Sequence, residues 1–277
     1  MALIQSASSV VTSRSNARVK QLRAAFAGQA RLSGGLVAIE GDNLLGEALR
    51  SGMVLKTIFI SERRELPRNL PRSVEVLWLA NDIFASVVET QSPQGIAALL
   101  VPPVPSLDSM LASTSDSAPL IMVAAGLQDP GNLGTLVRSA EAFGATGVLT
   151  TPGSVSAWNQ KALRASAGSI FRMPVVAATL EVLASLKDRG ITLVAAVAED
   201  SRDAIAAQDA DFNKPVAILI GNEGSGLSDE TLALADVLIT IPCPGRVESL
   251  NAAVAGSLLL YEASRQRAAA SKATAIA

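Results

Sequence analysis

Histidine is absent from the 277 residues, and cysteine occurs once, at Cys243. Without imidazole there is no Ser–His–Asp triad, no zinc–histidine centre and no imidazole acid–base relay. A single thiol makes no internal disulfide and no thiolate cage, so no metal site is expected. Aromatic residues are scarce: two Trp, one Tyr and six Phe supply little for a platform on which single-stranded RNA could stack. No stretch approaches the ~20 apolar residues of a membrane helix; even Leu232–Ile241 is broken by Asp236. At the N-terminus the small apolar residues precede Arg14, Arg18 and Lys20, the reverse of a secretory leader. These absences predict a soluble, cytoplasmic, globular protein. Its chemistry must rest on carboxylates, Arg or Lys, hydroxyls, backbone dipoles or a cofactor.

The formal charge of −2 hides a segregation. From Met1 to Ile39 there are five basic residues (Arg14, Arg18, Lys20, Arg23, Arg31) and no acid, and from Ala142 to Leu180 there are Lys161, Arg164 and Arg172, again with no acid. Arg265, Arg267 and Lys272 follow Glu262. Patches of this kind attract phosphate backbones even on a slightly acidic protein. Solvated helix faces and a basic tail would leave the same pattern.

The length favours two domains. Leu3 to about Ala30 reads as a basic helical lead-in, with Val19, Leu22 and Phe26 at helical spacing. Strand-like runs at Leu36–Glu40, Thr57–Ile60, Glu75–Leu79 and Gly95–Leu100, with an amphipathic helix at Asn43–Arg50, predict a small α/β domain over 1–103. Four Pro and five Ser between Val101 and Pro119 predict a linker over 104–119, because proline donates to no ladder and Ser-rich stretches build no core. Over 120–277, short apolar runs recur at Leu120–Ala125, Gly147–Thr151, Pro174–Ala178, Thr192–Val197, Val216–Gly221 and Leu238–Pro242. Helical patterns lie between and after them, near Leu133–Phe143, Gln160–Ile170, Leu180–Arg189, Asp229–Ala235 and Ser249–Arg267. Apolar strands alternating with helices predict a parallel α/β sheet covered on both faces.

In such sheets ligands bind at the C-terminal strand ends, and three of these ends are unusual. The first is Gly126-Leu-Gln-Asp-Pro-Gly-Asn132, a tight turn in which Asn132 can cap a helix buried through Leu133, Leu136, Val137 and Ala140. Arg138 falls off that stripe, as a solvated end or a site residue near the strand mouth. The second, Gly221-Asn-Glu-Gly-Ser-Gly226, lets backbone N–H groups face a ligand, with Ser228 capping the next helix. Its glycine order matches neither the dinucleotide fingerprint nor a P-loop. Glu223 would repel phosphates, so it is either a solvated acid or a partner for a cationic or neutral polar ligand. The third runs Ile241-Pro-Cys-Pro-Gly245-Arg-Val-Glu-Ser249-Leu-Asn251 into a helix rich in small residues, which something must approach closely. Ser249 and Asn251 are caps, or donors that orient a ligand.

In this order and spacing the segments resemble the SpoU/TrmH family of RNA ribose 2′-O-methyltransferases. The matches are Asn132-x-Gly134-x-x-x-Arg138, Gly221-Asn222-Glu223-Gly224 with Gly226-Leu227, and Ile241-Pro242, Gly245, Glu248-Ser249-Leu250-Asn251; Arg164-Ala-Ser-Ala-Gly168 is also similar. Upstream, Thr12–Lys20, Glu40-Gly41 and Ser92-Pro-Gln-Gly95 resemble the RNA-substrate-binding domain that many members carry. Cys243 stands where the family often has Met, and Ala252-Ala253 where it often has Val-Ser.

The resemblance implies a C-terminal trefoil knot, a homodimer with its catalytic site near the interface, S-adenosylmethionine as cofactor and RNA as partner. Ribosomal RNA is favoured over transfer RNA because of the extra domain. It assigns catalysis to Asn132, Arg138, Glu223, Ser249 and Asn251, and cofactor contacts to Gly221, Asn222, Gly224, Ile241, Pro242, Gly245 and Leu250. Arg14, Arg18, Lys20, Arg23 and Arg164 are the expected RNA contacts. Three alternatives stand beside it: a non-catalytic knotted RNA-binding protein, a knotted base methyltransferase, and a nucleotide-dependent metabolic enzyme, which would lack its phosphate fingerprint.

Overall fold

The computed structural model describes residues 10–68, 70–112, 118–198, 201, 203–247 and 249–276. The first part of the expected lead-in helix and Glu248 lie outside these residues. The chain divides into two compact units, Met1–Pro103 and Val104–Ala277.

In the first unit α1 (Ala17–Phe26) starts where Asn16 accepts from the N–H groups of Arg18 and Val19. Among the described residues of the lead-in, the helix begins at Ala17, because the Asn16 cap sets its start. Val19, Leu22 and Phe26 are buried, as their spacing requires. After the short α2 (Ala30–Ser33) come β1 (Val37–Glu40), α3 (Asp42–Arg50), β2 (Leu55–Ser61), β3 (Glu75–Leu79), α4 (Asn81–Ala85) and β4 (Ile96–Leu100). The sheet order is β1-β4-β2-β3, with β2 and β3 parallel and the other pairs antiparallel. Phe59, Leu79, Phe84 and Leu99 form its core with α1.

The second unit opens with α5 (Leu107–Ala112), inside the stretch expected to be linker. Ser106 and Ser109 cap it reciprocally, each side chain accepting from the other's backbone N–H at 3.1 and 3.0 Å. Met110 is buried against the sheet, so closely that a Cβ on Gly147 would lie 2.1 Å from its sulfur. No proline falls between Pro105 and Pro119, and the apolar Leu107, Met110 and Leu111 share one helical face, which overrides the Ser-rich composition.

There follow β5 (Leu120–Ala124), α6 (Pro130–Ala142), β6 (Gly147–Thr150), α7 (Gln160–Ser166), β7 (Val175–Ala177), α8 (Leu180–Asp188), β8 (Thr192–Ala196), β9 (Ile205–Ala206), β10 (Val216–Ile220), α9 (Asp229–Leu232), β11 (Val237–Thr240) and α10 (Ala252–Ile276). The seven strands form one parallel sheet in the order β7-β6-β5-β10-β8-β11-β9. Alternation along the strands feeds two cores. Ile121, Val123 and Leu219 pack with Met110, Leu183 and Leu186, while Met122 and Ile220 face Gly256 of α10 on the other side. The small-residue start of α10 is explained within the chain: a Cβ on Gly256 would lie 2.3 Å from Leu136 Cδ2 of α6, and Ser257 and Ser139 share a 2.7 Å hydrogen bond. Among the described residues no helix is long and apolar enough to cross a membrane.

Candidate active site

β5 and β10 are neighbours, and at their C-terminal ends the Ala125 N–H donates to Ile220 O at 2.8 Å. The two loops that leave them therefore start side by side. In the first, Asp129 rather than Asn132 is the cap: its carboxylate accepts from Asn132 N at 2.9 Å, and Pro130 occupies the first helical position. The sequence contains this signal, since Asp-Pro at a helix start is a capping pattern. Displaced into the first turn, Asn132 has its side chain free to reach sideways.

It reaches the second loop. Asn132 Nδ2 donates to Glu223 Oε1 at 2.8 Å, and the Asp129 N–H donates to the same oxygen at 3.4 Å. Burial opposes the charge on Glu223, yet these donors, its own N–H and that of Gln128 outweigh it and hold the carboxyl below its ordinary range. The loop is closed by paired hydrogen bonds between Asn222 and Gly226. Asn222 Oδ1 also accepts from Gly224 N at 2.8 Å while Nδ2 donates to Gly126 O at 2.9 Å, which commits its side chain to the loops themselves. Gly221 is dictated by space: a Cβ there would lie 2.2 Å from Gly226 C and 2.4 Å from Leu227 N.

The third segment joins them. Asn251 caps α10, its Oδ1 accepting from Ala253 N at 3.0 Å and Val254 N at 3.3 Å, and its Nδ2 donates to Asn132 Oδ1 at 3.1 Å. The helix thus starts at Ala252, three residues later than the pattern suggests, because Asn251 rather than Ser249 is its cap. Asn251, Asn132 and Glu223 form one chain of hydrogen bonds across the ends of three segments far apart in sequence.

Other expected residues stay outside that chain. Arg138 is exposed, two turns along α6 from Asn132, and makes no ion pair among the described residues. Ser249 is exposed, with no side-chain hydrogen bond among the described residues. Ile241 and Leu250 are half-buried; Pro242, Gly245 and Gly224 are exposed. Gly245 and Leu250 make no backbone hydrogen bond among the described residues, so this turn offers main-chain donors and acceptors to a ligand. Lys161, which the sequence offered no means of placing, forms a 2.7 Å ion pair with Asp129, while Arg164, one turn on, is exposed and unpaired among the described residues.

The basic windows divide in the same way. Arg14, Lys20 and Arg23 carry no ion pair among the described residues, whereas Arg18 pairs with Glu75 at 3.0 Å. Arg18, Lys20 and Arg23, with Gln29 and Leu32, line a groove of about 710 Å³ along α1 and α2. In the tail Arg265 is tied to Glu262, and Arg267 donates to the carbonyls of Phe212, Pro119, Lys214 and Ala118. Those two are structural cations.

A family model described as the SpoU rRNA Methylase family matches residues 119–261, and one described as an MRM3-like substrate binding domain matches residues 16–98. The 23S rRNA (guanosine(2553)-2′-O)-methyltransferase RlmP of Bacillus subtilis is 32% identical over 91% of this chain and 97% of its own length. The 23S rRNA (uridine(2479)-2′-O)-methyltransferase of Streptomyces viridochromogenes is 32% identical over 95% and 94%. Among solved structures, the SpoU methyltransferase AviRb from Streptomyces viridochromogenes in complex with AdoMet superposes with a TM-score of 0.79 at 28% identity, covering 91% of this chain and 98% of that one.

Proposed function

The chain belongs to the SpoU rRNA methylase family, and from that premise we propose that it transfers a methyl group from S-adenosylmethionine to a ribose 2′-hydroxyl of ribosomal RNA, as a cytoplasmic homodimer. The observation that carries this reading is the Asn251–Asn132–Glu223 chain, which joins the three motif segments beside the ends of β5 and β10.

The residues present fit the cofactor. The turn at Gly245 and Leu250 has main-chain groups without a backbone partner among the described residues, the loop from Gly221 to Gly226 is closed without phosphate-binding glycines, and the nearby Glu223 is anionic, which suits a sulfonium and not a phosphate. Gly221, Ile241, Pro242, Gly245 and Leu250 would hold it through backbone contacts, with Asn222 and Gly224 shaping the loop. Bound there, S-adenosylmethionine supplies an electrophilic methyl group.

The chain's own task is to align and stabilise the nucleophile; alignment alone is worth about 7–11 kcal/mol. Arg138, exposed and without an ion pair among the described residues, holds the phosphate beside the reacting ribose and stabilises charge developing on the 2′-oxygen. A guanidinium stays protonated, so it does not act as base. Glu223 is a weak base once its pKa is lowered; it orients Asn132, and the hydroxyl proton leaves to solvent or phosphate. Ser249 and Asn251 complete the ribose side.

Residues 120–277 carry catalysis and 1–103 capture RNA through Arg14, Arg18, Lys20 and Arg23, aided by Arg164. A trefoil knot is supported by the course of α10, which leaves β11 near one sheet edge yet packs on α6, β10 and β5. A homodimer is supported by Val254, Leu258 and Tyr261, which stand 48%, 44% and 53% exposed along one α10 face.

The test is incubation of the protein and labelled S-adenosylmethionine with ribosomal RNA, followed by alkaline hydrolysis. Label in alkali-resistant dinucleotides is the expected result. Label on a base would identify a base methyltransferase, and RNA binding without label a non-catalytic protein.

A further inference from the structure

We propose that Lys161 of α7 is a positioning residue for methyl transfer, acting through Asp129 to fix the turn that aims Asn132 at Glu223; this rests on the activity proposed above. Asp129 is the shared element. Its Oδ1 accepts from Asn132 N at 2.9 Å, its Oδ2 accepts from Lys161 Nζ at 2.7 Å, and its own N–H donates to Glu223 Oε1 at 3.4 Å. One residue therefore connects the α6 cap, the Glu223 loop and a cation on a different helix.

The surroundings leave this pair little freedom. Gly131 has ordinary backbone angles, so its glycine is a matter of space: a Cβ would lie 2.7 Å from Asp129 Oδ1 and 3.1 Å from Lys161 Cε. The base of Lys161 is fixed as well. A Cβ on Gly134 would lie 2.4 Å from Ala162 O, so α6 and α7 are in backbone contact one residue beyond Lys161. That contact sets where Nζ sits relative to the turn.

The side chains of Lys161 and Asp129 are 56% and 41% exposed, and ion pairs at such positions add little to stability. An interaction of small thermodynamic weight, built into a crowded turn between two site loops, has its effect on geometry. Asp129 is held ionised, first by Lys161 and then by the Asn132 N–H. The Lys161 charge thus keeps the cap carboxylate in the rotamer that leaves the Asn132 side chain free for Glu223. Misplacing a reacting arrangement by about 1 Å costs on the order of a hundredfold in rate.

The experiment is steady-state 2′-O-methylation of ribosomal RNA by full-length Lys161→Met, Lys161→Arg and Asp129→Asn proteins, beside the unmodified protein. Asparagine keeps the N-cap acceptor and loses the ion pair, so it separates capping from pairing. The expected result is a kcat about ten- to a hundredfold lower for Lys161→Met and Asp129→Asn. The RNA KM and the melting temperature stay unchanged, and Lys161→Arg restores most of the rate. A raised RNA KM with unchanged kcat in Lys161→Met would make Lys161 an RNA contact and overturn the proposal, as would full activity in either charge-removing variant. Failure of the unmodified protein to methylate any RNA would count against the activity itself, not against this pair.

Discussion

Asn132 Nδ2 donates to Glu223 Oε1 at 2.8 Å, joining the first turn of α6 to the loop after β10 across 91 residues of sequence. The amide is matched to a carboxylate whose proton affinity is lowered, first against burial and then by Asn132 itself. Asn132→Asp sets two carboxylates against each other, and one of them must then titrate at a raised pKa. Repulsion is complete when both are ionised, so the loss of activity is greatest at high pH. The expected kcat is about a hundredfold below the unmodified protein near pH 8, with the ratio improving as pH falls toward about 6. A pH–rate profile checks this: a ratio near one at every pH would show that the pair does not matter to turnover, and a low ratio independent of pH would show that carboxylate repulsion is not the cause of the loss.

Arg138 meets no carboxylate among the described residues, unlike Arg18, Arg172 or Arg265. An exposed guanidinium without an internal partner is available as a fork for phosphate. Arg138→Lys keeps the charge and loses the fork. It should lower kcat by about 10²–10³, as loss of a transition-state donor does. Arg138→Ala should abolish turnover and leave S-adenosylmethionine affinity unchanged by calorimetry. Full activity in Arg138→Lys would refute the oriented-guanidinium role.

RNA capture is assigned most heavily to the cations that no carboxylate neutralises among the described residues. Replacing Arg14, Lys20 and Arg23 together by Ala should reduce the slope of log binding constant against log salt by about 2–3. Arg18→Ala should change it less, because Glu75 already holds that side chain. Filter binding over a salt series measures both. Equal slopes for all proteins would remove α1 from the RNA interface.

The strands of the large sheet were legible because they are short, apolar runs such as Val216–Ile220, buried on both faces. The helix starts were less so. Asp129 and Asn132 both suit a cap, and only Pro130 distinguishes them. The two-residue β9 sits in a polar stretch with no periodicity and exists through its pairing with β11. α5 was hidden by its serines, although its cap pair and Met110 make it part of the core. Motif spacing nominated Asn132, Glu223 and Asn251, but no local pattern encodes their mutual hydrogen bonds. Nor could it place Lys161 against Asp129, since that contact depends on how α7 packs on α6 at Gly134.

Asp236 ties β11 to its neighbours: its Oδ2 accepts from Leu193 N at 2.8 Å and its Oδ1 pairs with Lys187 Nζ at 2.8 Å. Burial opposes its charge, but Lys187 and the Leu193 N–H prevail and lower its pKa. A depressed pKa stabilises the fold above the unfolded value of about 3.9, and that stability is lost as pH falls through the still lower folded value. Asp236→Asn should therefore melt at a lower temperature than the unmodified protein at neutral pH. The difference should close only below about pH 4. Calorimetric scans across pH test this, and a gap that persists at the acid end would mean the carboxylate acts through shape alone.

Arg267 separates structural from RNA-facing basicity. Its guanidinium is half-buried and donates to Phe212 O at 2.8 Å, Lys214 O at 2.9 Å and Pro119 O at 3.1 Å, and also to Ala118 O. Burial pushes its pKa down, yet a guanidinium remains charged at any working pH. These bonds fasten the far half of α10 to the segments entering β5 and β10, the strands whose opposite ends carry the site. Arg267→Ala leaves several carbonyls short of a donor, a loss of about 2–3 kcal/mol for charge-assisted bonds. Lysine has three donors on a point charge and cannot span the same four acceptors, so Arg267→Lys should recover only part of that loss. Denaturant unfolding measures both effects, and the salt slope of RNA binding should stay unchanged in each variant. A reduced slope would mean that Arg267 reaches phosphate after all and that the carbonyl cluster is not its role.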